Sequence, residues 1–186
     1  MSFILETIVT TRGPDDSAHV APLGVHVRGN SFVLAPFRPS RTLDNLLRER
    51  SASINFCDDV RVFAGALTGR RDWPTVACSV ISGHRLQNAL AHKEVVVDTV
   101  EEDGLRPRFV CSTVHNATHQ PFQGFNRAQS AVIEASILLS RLHLLPPEKV
   151  QAELTYLQIG VDKTAGPREL EAWGWLMEKF NEKRDG

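Results

Sequence analysis

Arg38-Pro39-Ser40-Arg41-Thr42 sets two guanidinium groups and two hydroxyls at what reads as a strand-to-helix junction. The first turn of a helix leaves backbone N–H groups without partners, and the helix dipole favours an anion there. Arginines beside such a turn suit a phosphate monoester. The same residues also suit a plainer task, in which Ser40 or Thr42 caps the helix and the arginines are solvated. Neither a P-loop motif nor the Rossmann glycine fingerprint occurs in the chain, so nucleotide binding of those two kinds has no support.

A second feature is Ala21-Pro22-Leu23-Gly24-Val25, which puts a Pro and a Gly inside a strand pattern. Such residues mark either a bulge or a place where a ligand lies against bare backbone. Ser53-Ile54-Asn55-Phe56-Cys57-Asp58-Asp59 ends another strand with amide, aromatic and carboxylate groups. These are the group types that meet the edge of a flat heteroaromatic ring.

Nucleophilic chemistry is poorly served. The serine elbow of the α/β-hydrolases is absent. Cys111-x3-His115-x3-His119 has metal-ligand spacing if the segment is helical. Its intervening Ser-Thr-Val and Asn-Ala-Thr read instead as a strand end and a loop. That leaves a buried cysteine and two loop histidines, and no metal site is expected. His19, His26, His84, His92 and His143 form no ligand motif.

The elements that must position these groups follow from periodicity. Phe3–Thr10, His19–Arg28, Ser31–Ala35, Ser51–Phe56, Trp73–Leu86, Glu94–Val100 and Arg108–Val114 read as strands, with Gly29-Asn30 a tight hairpin connection. Consecutive Val95, Val96 and Val97 suggest burial on both faces or a closed barrel. Leu43, Leu46, Leu47 and Arg50 share one face of a helix, and Val60, Phe63, Ala64 and Leu67 mark a second, short helix over Asp58–Leu67. The stretch from His115 to Gly124 is polar and reads as a loop. The last third is helical. Ala128, Val132, Ala135, Leu139 and Leu142 form one stripe, widened by Ile133 and Ile137. Pro147 and Gly166-Pro167 open two further helices, the first carrying Val150, Leu154 and Leu157 and the second Leu170, Trp173, Leu176, Met177 and Phe180. The class is α+β, with residues 1–120 as a β-rich domain and 121–186 as a helical subdomain.

Composition excludes several functions. The 186 residues carry 21 Lys+Arg against 22 Asp+Glu, a net charge of -1. This gives no electrostatic basis for non-specific binding to nucleic acid or to an anionic membrane. Cys57, Cys78 and Cys111 cannot all pair and form no CxxC motif, which points to a reducing compartment. The N-terminal segment lacks a basic n-region, so it does not read as a signal peptide. The apolar stretch 131–145 is interrupted by Glu134, Arg141 and His143 and is too short to span a bilayer. A cytoplasmic soluble protein is expected.

Taken in order, several blocks resemble a known family. They are Ile4-Leu5-Glu6-Thr7-Ile8-Val9-Thr10, Ala21–Val25, Ser40-Arg41-Thr42 with Asn45-Leu46, and Ile54–Val60 with Phe63. Gly124-Phe125-Asn126-Arg127-Ala128, Ala131–Ala135, Arg141-Leu142 and Lys163-Thr164-Ala165-Gly166 continue the likeness through nearly the whole chain. The pattern resembles the archaeal-type FMN-binding split-barrel family called domain of unknown function four-four-seven, except that the family's usual Lys-Thr-Gly-Gly stands here as Lys-Thr-Ala-Gly.

The resemblance implies a six-stranded Greek-key split β-barrel and a homodimer with FMN near the dimer interface. By the same resemblance, Gly24 and Val25 offer backbone to the isoalloxazine ring. Ser40, Arg41 and Thr42 hold the phosphate, with Asn45 close by. Asn55 and Phe56 line the ring or the ribityl chain, and Asp58 accepts from a ribityl hydroxyl. Asn126 and Arg127 either join the cofactor site or serve as a helix cap and an ion pair to Glu134 or a neighbour. Phe32, Phe37, Val60 and Phe63 are the apolar groups expected to be covered by a second copy. The implied function is an FMN-dependent oxidoreductase taking electrons from a nicotinamide or deazaflavin donor, with no catalytic acid evident. The alternatives are a flavin carrier or sensor, or a binder of another phosphate monoester.

Overall fold

The computed structural model describes residues 3–185. Eight strands come first in the chain: β1 (Phe3–Arg12), β2 (Ala18–Arg28), β3 (Ser31–Leu34), β4 (Ser51–Phe56), β5 (Thr75–Ala77), β6 (His84–Leu86), β7 (Ala91–Glu101) and β8 (Arg108–Thr118). Helix α1 (Arg41–Glu49) lies between β3 and β4, and α2 (Arg61–Thr68) follows β4. The chain ends in α3 (Arg127–Ser140), α4 (Pro147–Thr164) and α5 (Pro167–Asp185). Six strands close an antiparallel barrel in the order β1-β2-β3-β8-β7-β4, and β5 and β6 pair separately. The fold is α+β with a six-stranded barrel, as the resemblance implies.

The chain divides into two compact units, with breaks at Cys57/Asp58, Asp72/Trp73 and Phe122/Gln123. The barrel unit holds all eight strands and α1. The helical unit takes α2 from between two strands and adds α3, α4 and α5.

In the barrel unit, Val9, Val25, Phe32, Leu34, Ile54, Val95, Val97, Phe109 and Cys111 fill the interior. Helix α1 contributes Leu43 and Leu46 to this core, which fixes its orientation. Leu47, placed on the same face by periodicity, is exposed; Asn45 and Thr42 are buried instead. The β2–β3 connection is the expected two-residue hairpin, with Gly29 in the left-handed region at φ 58. The three consecutive valines sit between two irregularities of the β7–β8 ladder, at Glu94/Val95 and Val97/Thr99. Between them the ordinary alternation of a strand holds: Val95 and Val97 enter the barrel core, and Val96 is half-buried on the other face.

Three sequence expectations are corrected here. Trp73–Leu86 is not one strand: two three-residue strands are joined by a bend that wraps Glu94, as described below. The polar segment after Val114 is not a loop from His115, because β8 continues through Thr118, paired with β7 along its length. Its polar residues alternate with others on an outward face, a pattern compatible with a strand. The second helix starts at Arg61, where Asp59 accepts from the Arg61 backbone N–H at 3.2 Å and turns the chain.

The helical unit has its own core of Val60, Ala64, Ala128, Val132, Ala135, Leu139, Trp173, Leu176 and Phe180. Leu170 is exposed, and Glu169 beside it is buried. Glu169 accepts from the Gly166 N–H at 3.0 Å and from Gln129 Nε2 at 3.2 Å, which ties the start of α5 to α3. Gly160 lets α4 approach α3: a Cβ there would lie 3.4 Å from the Arg127 carbonyl oxygen. Phe32 belongs to the barrel core, and Val60 and Phe63 are buried within the helical unit's α2 segment. Of the four groups expected at a dimer surface, Phe37 alone is exposed, at 52%. No helix among the described residues is long and apolar enough to cross a membrane.

Candidate functional site

The junction after β3 is positioned from the turn before β8. Arg106 donates to the Ala35 carbonyl from Nε at 3.0 Å and Nη2 at 2.8 Å, and its guanidinium lies 4.2 Å from the centre of the Phe37 ring. The Arg38 N–H donates to the Leu105 carbonyl at 3.0 Å. These bonds deliver the chain to Ser40 in an extended conformation (φ -160, ψ 150), from which α1 starts.

Ser40 is the cap: its Oγ accepts from the Leu43 N–H at 3.2 Å. The Arg41 and Thr42 amides, at the first two helical positions, have no intrahelical acceptor. Arg41 is exposed, and its charge acts at longer range on the Asp15 carboxylate, with no closer ion pair found for it among the described residues. The Arg38 side chain makes a long, exposed contact to Glu102 at 3.7 Å. Ser40, Arg41 and Thr42 are thus together at a helix start that holds an exposed cation and N–H groups without an intrahelical acceptor. Asn45 lies one turn along but spends its amide internally, donating to Thr11 Oγ1 at 3.0 Å and accepting from Arg48 Nη2 at 3.0 Å.

Strand β2 pairs with β1 along its whole length, yet meets β3 only at His26, Val27 and Arg28. The backbone of Ala18–Val25 therefore presents an edge that β3 does not cover. Pro22 fits there because an edge position needs no ladder N–H. Gly24 faces Glu6 across the pair. A Cβ on it would meet Ile4 Cγ2 at 3.1 Å and Glu6 Oε1 at 3.4 Å, so the glycine makes room for those two side chains. Val25 points its side chain into the barrel core, leaving only backbone to offer.

A buried polar layer lies on β4 and β7. Asn55 donates from Nδ2 to the Ile8 carbonyl at 2.9 Å and to Thr10 Oγ1 at 3.0 Å, and its Oδ1 accepts from the Leu86 N–H at 2.9 Å. It is fully buried, so its amide ties the β5–β6 segment to the barrel. Phe56, at the strand end, packs partly against the barrel core.

Beside Asn55, Glu94 accepts from three successive backbone N–H groups, those of Ser79 (2.6 Å), Val80 (2.7 Å) and Ile81 (2.9 Å). His92 Nε2 lies 3.2 Å from Glu94 Oε1, and His92 Nδ1 lies 3.0 Å from His119 Nε2. Burial pushes the Glu94 carboxyl up, but the three amides and His92 outweigh it and hold it below its ordinary value. Burial pushes His92 below its ordinary value despite Glu94, and it also lowers His119. With a neutral His92 the two contacts read as Nε2–H donating to the Glu94 carboxylate and Nδ1 accepting from His119. Burial and the Glu94 charge push the Cys78 thiol up to about 12.

Sequence reasoning missed this cluster. His92-x-Glu94 was the available signal, since residues two apart in a strand share a face. The Cys111–His115–His119 grouping does not form: Cys111 is taken into the barrel core, and His115 stands opposite Glu94, where the irregularity beside Val114 offsets the earlier one at Val97/Thr99.

The remaining expected residues lie in the helical unit. Asp58 is half-buried. Its neighbour Asp59 holds Arg61 in a two-pronged pair at 2.9 and 2.7 Å, and Arg61 also reaches Glu171 at 3.0 Å. Asn126 caps α3, accepting from the Ala128 and Gln129 N–H groups at 2.8 and 3.2 Å, and donates to the Thr164 carbonyl at 2.9 Å. Thr164 Oγ1 accepts from the Ala128 N–H at 3.0 Å. The two C-terminal motifs of the resemblance thus meet as one clamp, and the Asn126 amide is used up in it. Arg127 is exposed at the first helical position of α3. A groove of about 870 Å³ in this unit is lined mainly by Leu142, Leu145, Val150, Leu154, Met177 and Phe180. It lacks a convergent set of anion-binding groups, so the junction at α1 remains the chemically stronger site.

Two family descriptions match the chain. "Protein of unknown function (DUF447) N-terminal domain" covers residues 5–120, and "Protein of unknown function (DUF447)" covers residues 126–178. The chain belongs to the DUF447 family. An FMN-bound DUF447 protein from Methanosarcina mazei superposes with a TM-score of 0.81 at 19% identity, over 96% of each chain. Flavoredoxin from Methanosarcina acetivorans gives 0.55 at 15% identity, over 65% of this chain and 73% of its own. The styrene monooxygenase flavin reductase from Pseudomonas putida S12 gives 0.54 at 12% identity, over 63% and 83%. At these identities the likeness to the solved proteins is one of fold. The two matched regions of the DUF447 family flank the break at Phe122/Gln123, while the breaks at Cys57/Asp58 and Asp72/Trp73 fall inside the first of them.

Proposed function

We propose that this protein binds FMN and works as an oxidoreductase, accepting electrons from a nicotinamide or deazaflavin donor. The observation that carries the reading is the exposed Arg41 beside Ser40 and Thr42 at the start of α1, in a fold shared with an FMN-bound relative and with a flavin reductase. The residues fit the group. The phosphate meets the Arg41 guanidinium, the free amides of the first helical turn and the Thr42 hydroxyl, while the β2 edge around Gly24 and Val25 offers backbone polar groups to a flat ring. FMN, when bound, supplies the hydride and electron chemistry; the chain supplies position and electrostatics. Asn45 and Asn55 act by holding β1, α1 and the β5–β6 segment in place, since their amides are committed within the barrel unit.

Flavin released from the denatured protein, and bleaching of the bound flavin band by NAD(P)H or a reduced deazaflavin, support the reading. Absence of flavin together with no saturable FMN binding overturns it. Arg41→Ala is expected to weaken FMN binding by roughly 1.5–3 kcal/mol, about 10- to 150-fold, the range for hydrogen bonds to a charged group. Equal affinities in a fluorescence titration of the two proteins would reduce Arg41 to a solvated surface charge. The assembly we read as a homodimer, supported by exposed Phe3, Ile4 and Phe37 in the barrel unit; a single-chain mass by light scattering at micromolar concentration rejects it.

A further inference from the structure

His92, Glu94 and His115 converge in the barrel unit. A ring nitrogen of each histidine and a carboxylate oxygen of Glu94 lie within 4.8 Å of one another. We propose that these three side chains form a binding site for a divalent first-row transition metal of the zinc class.

The placement comes from two strands. His92 and Glu94 share a face of β7, and Glu94 stands directly opposite His115 on β8. Two imidazoles and one carboxylate are a donor set typical of zinc sites with three protein ligands, which keep a further position for water or a substrate oxygen. The His92 and Glu94 side chains are 1% and 0% exposed, whereas His115 is half-buried. The open position therefore lies on the His115 side.

The spacing suits a single ion. His92 Nε2 and Glu94 Oε1 are 3.2 Å apart. With metal–donor bonds of about 2.1 Å that separation subtends about 100° at the ion, inside the range of tetrahedral and octahedral geometries. His115 closes the site by a side-chain rotation, since its ring is already 5.7 Å from that of His92, centre to centre.

Both fixed ligands are supported from behind, as metal ligands generally are. The amides of Ser79, Val80 and Ile81 hold Glu94 and leave the lone pair facing His92 for the ion. His119 holds His92 through Nδ1. Metal entry needs no net loss of protons. The His92 proton moves from Nε2 to Nδ1 and is donated to His119 Nε2, while the His119 proton moves to its own Nδ1. The 3.0 Å contact between the two rings serves either arrangement.

The test is calorimetric titration of zinc sulfate into the tag-free full-length chain after treatment with a chelator. The expected result is one equivalent bound with a dissociation constant in the micromolar range or tighter. His115→Ala is expected to weaken it at least tenfold, and its partial exposure makes this variant tolerable to the fold. His143→Ala, at an exposed position of the helical unit, is expected to bind as the unaltered protein does. The proposal is overturned by the absence of saturable binding, by equal affinity in the His115→Ala protein, or by an equal loss in the His143→Ala protein. Flavin content is read separately by absorbance, so loss of this site leaves the flavin reading standing, and the reverse holds.

Discussion

A chain ending at Gln120 is expected to be insoluble or molten. The cut removes α3, α4 and α5, but the segment Asp58–Asp72, which packs with them, stays attached to the barrel unit. Val60 and Ala64 then lose the apolar partners they share a core with, among them Ala128, Val132 and Leu176. On α3 alone, burial of Val132, Leu138 and Leu139 contributes on the order of 5–9 kcal/mol as an upper bound. Net stabilities are only about 5–15 kcal/mol, so losing one core's partners is decisive for the segment left behind. The measurement is thermal unfolding by circular dichroism together with binding of an apolar dye. A cooperative transition near that of the full chain, with no dye binding, would show that α2 needs no helical partner.

Glu94→Ala is expected to destabilise the protein by about 2–4 kcal/mol and to release the segment between β5 and β6. Three backbone N–H groups and the His92 Nε2–H converge on this carboxylate. Bonds to a charged acceptor contribute about 1.5–3 kcal/mol each, and they are not additive where water can replace the lost partner. Ser79 and Val80 are exposed, so their amides rehydrate at little cost; His92 is buried and cannot. The readouts are the urea midpoint and hydrogen exchange of the amides of residues 79–81. Unchanged protection of those three amides in the variant would mean that something other than Glu94 holds the loop.

Much of the scaffold was legible in local pattern. The Gly29-Asn30 hairpin, the cap at Ser40 and the apolar stripe of α3 are short-range features, decided by turn chemistry, unpaired helix amides and the 3.6-residue period. The grouping of Ser40, Arg41 and Thr42 was readable for the same reason: three consecutive residues at a helix start are together whatever the rest of the chain does. The family likeness was carried by motifs of this kind too.

What local pattern left undecided was settled by long-range pairing. Asn55 and Asn45 look like ligand-facing amides in sequence, but only the β1–β4 and α1–β1 contacts show that their hydrogen bonds are already taken. Asn126 found its role through Thr164, thirty-eight residues away. Val60 and Phe63 belong with the C-terminal helices because α2 folds with them, although it is strung between two strands. The His92–Glu94–His115 cluster depends on two offsetting irregularities in the β7–β8 ladder: the register of Glu101 with Arg108 shifts at Val97/Thr99 and is regained at Glu94/Val95. A strand's side chains alternate with period two, so one extra residue moves every later side chain to the other face. Sequence alone determined which residues can do chemistry; the ladder register decided which of them meet, because no propensity of an isolated strand specifies its partner's offset.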